Sequence, residues 1–217
     1  MLINLLTASD ATAYRDLMLE AYIRAADAFT STAEERAAEP ESWWVKRIAH
    51  PQGLSVAFGA REGSELLGTV ALEYSAKPKT KHSALLIGMY VRDQAKGKGL
   101  GMVLLQAAIR HAEAREGTKV ITLTVTEGNV PAVRLYAAAG FQVWGSEPMA
   151  IATPSGYKAK VHMWRTVHCS STTTQHGADH DSYNRQIQKQ QHCPLPTELS
   201  SQLRDLKWYV DGAAGGG

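Results

Sequence analysis

Six residues, Lys96 to Gly101, read KGKGLG, with an apolar run before them and a long helical pattern after them. Glycine loses more backbone freedom on folding than any other residue, so three in six positions need a structural reason. A strand-to-helix turn supplies one. The first turn of a helix leaves backbone N–H groups unpaired, and these carry partial positive charge that binds phosphate. Glycines permit positive φ angles there and let a large anion approach the backbone. Lys96 and Lys98 add full charges at the rim. A pyrophosphate-bearing cofactor is the natural ligand, although the same glycines alone also suit a flexible surface turn. The segment is not a P-loop, because no Gly-Lys-Ser/Thr closes it. Nor is it the dinucleotide fingerprint: GKGLG is GxGxG, and no acidic residue ends a following parallel strand.

The rest of the body alternates between two periodicities. INLL predicts a first strand, and Ser9 and Asp10 offer an N-cap for a helix carrying Tyr14, Leu17, Met18 and Ala21 at helical spacing. Helical sequence continues through STAEERAAEPESWWVKRIA, interrupted near Pro40. LSVAFGA, ELLGTVALEY and SALLIGMYV predict three strands, the last with Gly88 inside it, where a bulge or a close backbone approach is expected. After the glycines, Leu104, Leu105, Ala108, Ile109 and Ala112 form one apolar helix face that stops at Gly117. VITLTVT alternates with period two, NVPAVRLYAAAG predicts a short helix, and FQVWG and YKAKVHMW predict closing strands around a PSG turn. The order is strand, helices, three strands, helix, strand, helix, two strands. That order predicts an α/β or α+β fold with a mostly antiparallel sheet.

Composition excludes more than it selects. The 217 residues are 44% hydrophobic with a formal net charge of +2, so bulk charge makes no case for nucleic acid. No apolar run reaches membrane-spanning length, and the opening residues lack the pattern of a signal peptide. The two cysteines, Cys169 and Cys193, both fall late, which fits a reducing compartment and a cytoplasmic protein. Near residue 168 the chain turns polar and rich in Ser, Thr, Gln and His. Residues 1–167 are therefore read as one domain and 168–217 as an appendage, with TELSSQLRDLKWYV as a docking helix. Cys169, His176, His180, His192 and Cys193 lack metal-ligand spacing, so no metal site is expected.

Two motifs, in order, resemble the GCN5-related N-acetyltransferase (GNAT) superfamily. The first is (Gln/Arg)-x-x-Gly-x-(Gly/Ala), here Lys96-x-x-Gly99-x-Gly101. The second is Asn, then Leu-Tyr, then Gly-Phe, here Asn129, Leu135-Tyr136 and Gly140-Phe141. The resemblance spans about residues 2–165. One departure is Lys96, where the family usually has Gln or Arg; lysine keeps the charge and loses the planar fork.

The resemblance implies a GNAT fold whose fourth and fifth strands splay, and acetyl-CoA as cosubstrate. Met89, Tyr90 and Val91 would offer backbone to the pantetheine arm, one of their N–H groups polarising the thioester carbonyl. Gly97, Lys98, Gly99, Leu100, Gly101 and Met102 would wrap the pyrophosphate, and the Asn129 side chain would bond the arm. Tyr136 stands at the family's acid position. Ribosomal-protein alanine acetyltransferases carry a glutamate five residues before the motif asparagine, where this chain has Thr124, which argues against that branch. The base is open among Glu73, Glu127, His82 and a water relay. Trp43 and Trp44 would wall an acceptor pocket, or else pack one in the core and one at the surface; the second is preferred. Glu34, Glu35, Glu39 and Glu41 would attract a cationic amine, or else form a solvated helix face.

The expected activity is acetyl transfer in a ternary complex to a primary amine, of a small molecule in preference to a protein N-terminus or lysine. A non-catalytic acetyl-CoA-binding module is the competing class. The expected partner is the small amine, with neither nucleic acid nor membrane, and a homodimer is left open.

Overall fold

The computed structural model describes residues 2–167. The expected docking helix, Cys169, His176, His180, His192 and Cys193 lie outside the described residues. Seven strands form one sheet in the order β1-β2-β3-β4-β5-β7-β6. They are β1 (Leu2–Leu5), β2 (Ser55–Glu62), β3 (Glu65–Tyr74), β4 (Ser83–Val91), β5 (Val120–Thr126), β6 (Gln142–Thr153) and β7 (Gly156–Thr166). Every neighbouring pair is antiparallel except β4 and β5. The mixed, mostly antiparallel α/β architecture expected from the element order is the one observed.

Helices cover both faces. α1 (Ala11–Arg24) buries Ala11, Tyr14, Leu17, Met18, Ala21 and Tyr22, a stripe at helical spacing. With α3 (Glu41–Ile48) it packs one core around Leu17, Trp44, Ile48, Leu66 and Ala71. On the opposite face α4 (Leu100–Ala114) sets Leu104, Leu105, Ala108, Ile109 and Ala112 against Val70, Leu72, Ile121 and Leu123. β3 feeds both cores, with Leu66 and Ala71 in one and Leu67, Val70 and Leu72 in the other. That two-sided burial explains its near-continuous apolar sequence. No helix among the described residues is long and apolar enough to cross a membrane.

Three local expectations are revised. Asp10 is the N-cap residue of α1, but its side chain does not cap that helix: one carboxylate oxygen accepts from the Thr7 N–H at 2.8 Å and the other pairs with Arg61 at 2.6 Å. Asp10 therefore ties the turn before α1 to β2, and its carboxyl is held below the usual range by Thr7 and Arg61 against the opposing effect of burial. α4 begins at Leu100, within the glycine segment rather than after it. β6 runs on to Thr153, far past Gly145, because its second half pairs with β7 as a two-stranded arm beyond the end of β5. A partly exposed arm has no one-sided apolar alternation to announce it.

Around Pro40 the break falls where expected. α2 (Ala33–Ala37) precedes it and α3 follows it. α2 is closed by a capping box, with the Glu35 N–H donating to Thr32 Oγ1 at 3.2 Å and the Thr32 N–H to Glu35 Oε2 at 2.9 Å.

Candidate active site

β4 and β5 pair only over Ser83–Leu85 and Val120–Thr122; beyond those residues they share no ladder. β4 also carries a bulge. Thr69 pairs with Tyr90 and Ala71 with Ile87, so Gly88 and Met89 stand opposite the single residue Val70. Gly88 takes a φ of 60°, which disfavours any side chain, and a Cβ there would lie 3.4 Å from the Tyr14 hydroxyl. The expected close approach at Gly88 is therefore present, and it turns strand backbone out of the ladder.

A cavity of about 200 Å³ opens where the strands part. β4 lines it from Leu86 to Met89, β5 from Thr124 to Thr126, and β7 through Lys160. Asn129 and Tyr136 enter from α5 (Val130–Ala138) and the residue before it. Asn129 Oδ1 accepts from the Ala132 N–H at 3.3 Å, capping α5 and leaving the side-chain NH₂ as a donor. Tyr136 is buried, its ring edge-to-face with Phe141 at 5.8 Å. Burial pushes its phenol well above the ordinary tyrosine value, so it stays protonated at any working pH.

The glycine loop sits beside this cavity. Gly97 and Gly99 take φ angles of 76° and 75°, the left-handed conformation that favours glycine. Gly99 precedes α4 and offers no side-chain cap, so the Leu100 and Gly101 N–H groups at the start of α4 keep their capacity for an anion. Gly101 serves packing instead: a Cβ there would meet Leu135 at 3.3 Å and Met89 at 3.4 Å. Lys98 and Leu100 lie within the loop and at the helix start, and Met102 N–H donates to the Gly99 carbonyl at 3.1 Å. Lys96 Nζ lies 2.6 Å from Asp93 Oδ1, so its charge is shared with a neighbouring carboxylate.

Other residues singled out in the sequence stand apart. Tyr90 pairs with Thr69 and Val91 with Gly68, and neither lines the cavity; the Tyr90 hydroxyl donates to Glu20 at 3.2 Å. Glu73 is bound by Arg47 at 2.5 Å and does not line the cavity. Glu127 accepts from the Ala159 N–H at 3.3 Å and borders a neighbouring, separate hollow. His82 precedes β4 at the end where β4 and β5 are still paired, its carbonyl accepting from Lys119 N–H at 2.8 Å. From there to Met89 is roughly 20 Å along the strand.

Three cations on the wall were not singled out in the sequence. Arg36 from α2, Arg47 from α3 and Lys160 from β7 line the cavity, and among the described residues no carboxylate does. Both guanidiniums lie over the Trp43 ring, Arg36 at 4.6 Å and Arg47 at 5.4 Å from its centroid. Trp44 is buried in the core, so one half of the preferred tryptophan expectation holds; Trp43 is only partly buried and faces the arginines. Glu35 and Glu39 serve capping and an ion pair with Arg36, so the acidic segment does not face the cavity. The signal was available in part. Trp43 and Arg47 are four apart on one helix face, with Trp44 and Ile48 four apart on the buried one.

Residues 15–141 match the model of the acetyltransferase (GNAT) family. The L-methionine sulfoximine/L-methionine sulfone acetyltransferase of Pseudomonas aeruginosa is 30% identical over 111 residues, 51% of this chain and 63% of that protein. A spermine/spermidine N(1)-acetyltransferase of Bacillus subtilis is 39% identical over 56 residues, 26% of this chain and 37% of that protein. The chain thus spans less than two thirds of the length of these relatives. Among solved structures, yncA from Salmonella typhimurium with its cofactor acetyl-CoA superposes with a TM-score of 0.65 at 20% identity, over 82% of this chain and 97% of that one. That likeness speaks for the fold. With more than half of its length matched by the family model, the chain belongs to the acetyltransferase (GNAT) family.

Proposed function

We propose that the protein transfers the acetyl group of acetyl-CoA to the primary amine of a small molecule. The observation that carries this reading is the meeting of three things in one cavity: β4 backbone freed by the Gly88 bulge, the Asn129 amide and the buried Tyr136 hydroxyl. Bound acetyl-CoA supplies an activated acetyl group, so that on attack by a neutral amine the C–N bond forms, the C–S bond breaks and the electron pair leaves on sulfur. Gly97 to Met102 would hold the pyrophosphate at the N-terminus of α4. The freed backbone at Gly88 and Met89 would donate to the thioester carbonyl as negative charge develops there. Asn129 would orient the arm. Tyr136 would hand its proton to the departing sulfur and recover one from the nitrogen as that becomes an amide.

The attacking amine must first lose its ammonium proton. Glu73 and Glu127 do not line the cavity, and His82 lies at the closed end of the strands. Water in the open part of the cavity is therefore assigned as the acceptor of that proton. The named relatives act on an amino-acid derivative in one case and on polyamines in another, and both are small amines. Free thiol release from acetyl-CoA, screened over amino acids, polyamines and peptide N-termini, tests the reading. Turnover confined to peptides would remove the small-molecule assignment. Acetyl-CoA binding with no turnover on any amine would make the protein a binding module.

A further inference from the structure

We infer that the acceptor carries a carboxylate beside its amine, and that Arg36 and Arg47, both stacked on the Trp43 ring, receive it; this rests on the acetyl-transfer reading above. Among the described residues, the wall of the cavity carries Arg36, Arg47 and Lys160 and no carboxylate. Their counter-charges stand outside the lining. Glu73 binds Nη1 of Arg47, Glu39 lies 3.5 Å from Nη1 of Arg36, and Glu147 faces Lys160 from the paired strand. A polycationic amine entering this cavity meets like charge, whereas a carboxylate meets two planar donors.

The guanidiniums are held ready. Arg36 Nη2 donates to Ser31 Oγ at 2.7 Å, and Trp43 limits the swing of both side chains. Arg36 Nε is buried with no hydrogen-bond partner among the described residues. A buried donor left unpaired is unfavourable, and an entering carboxylate would relieve it. The cavity, at about 200 Å³, must also admit the acetyl end of the cosubstrate, so the acceptor is of amino-acid size. Tyr22, Phe29 and Leu86 give that space its apolar side, which suits an uncharged side chain on the acceptor.

The test compares matched acceptors on the full chain at saturating acetyl-CoA. Each L-amino acid is set against its methyl ester and its decarboxylated amine, with spermidine as a polycation. The preferred amino acid should exceed its ester in kcat/KM by about tenfold or more, as expected when a charged hydrogen-bonded contact is lost. In Arg36→Gln and Arg47→Gln that ratio should fall toward one, through KM for the amino acid, while KM for acetyl-CoA reports that the site is intact. Arg47→Lys, which keeps the charge and loses the fork, should fall between and guards against a variant that fails to fold. Esters, decarboxylated amines or spermidine matching the free amino acids would overturn the inference and leave acetyl transfer standing. A ratio unchanged in both glutamine variants would overturn the assignment to these arginines. Silence from every amine would defeat acetyl transfer itself, and the inference with it.

Discussion

Tyr136 and His111 show how burial changes what a side chain can do. Burial alone raises the Tyr136 pKa, so its phenol stays protonated and keeps a proton to donate. Tyr136→Phe removes that donor at nearly constant volume. We expect kcat to fall about a hundredfold with little change in KM for acetyl-CoA; undiminished turnover would remove Tyr136 from the chemistry. His111, on α4, packs edge-on to Phe58 at 5.5 Å and near Tyr74, with Arg115 close by. Burial first, and Arg115 second, lower its pKa below the ordinary 6.5. A base with a lowered folded pKa binds more protons when unfolded. Its contribution to stability is therefore complete above about 6.5 and is lost as pH falls through the lowered folded value. The melting temperature should drop as pH falls below about 6.5, and His111→Gln should flatten that slope. Equal slopes in the two proteins would place the acid sensitivity elsewhere. The residue scale was partly legible in the sequence. Tyr136 and Asn129 could be picked out from their motif, but Lys160 stands in YKAKVHMW like any solvated strand lysine, and only its pairing opposite Thr126 brings it to the cavity.

At the scale of elements, the turn at Lys96–Gly101 divides its work among its glycines. Gly97 and Gly99 supply backbone conformation, and Gly101 supplies contact distance to Leu135 and Met89. A Cβ at Gly99 meets nothing within 4 Å, so Gly99→Ala tests conformation alone. We expect it to lower stability by about 1–2 kcal/mol, the cost of a left-handed angle at a non-glycine residue, and to raise KM for acetyl-CoA. A stable variant with unchanged KM would show that the loop does not need that angle. Helix and strand types were readable because apolar spacing differs between them. The second half of β6 was not, because its partner is β7 alone and neither face of that arm is fully buried.

Across the whole molecule, one sheet separates two cores, and β3 belongs to both. Leu17 and Leu104 are each fully buried, on opposite faces. Leu17→Ala and Leu104→Ala should each cost about 2–5 kcal/mol through lost burial and the cavity left behind. With a sheet between them and no shared partner, the double variant should lose the sum within about 0.5 kcal/mol. A shortfall well beyond that in chemical denaturation would mean the two faces are coupled through β3.

What the sequence by itself determined is the order and type of the elements, the mixed sheet, the glycine turn and the Asn129–Tyr136 helix, because these depend on local spacing and local backbone demands. Tertiary structure alone decided where β4 and β5 part, which carboxylates are excluded from the resulting cavity, and which cations face it. Arg36, Trp43, Arg47 and Lys160 come from three separate elements, and their side chains carry no local sign of a common target. Charge acts through space, so the character of the acceptor end became visible only once the chain had brought those residues together.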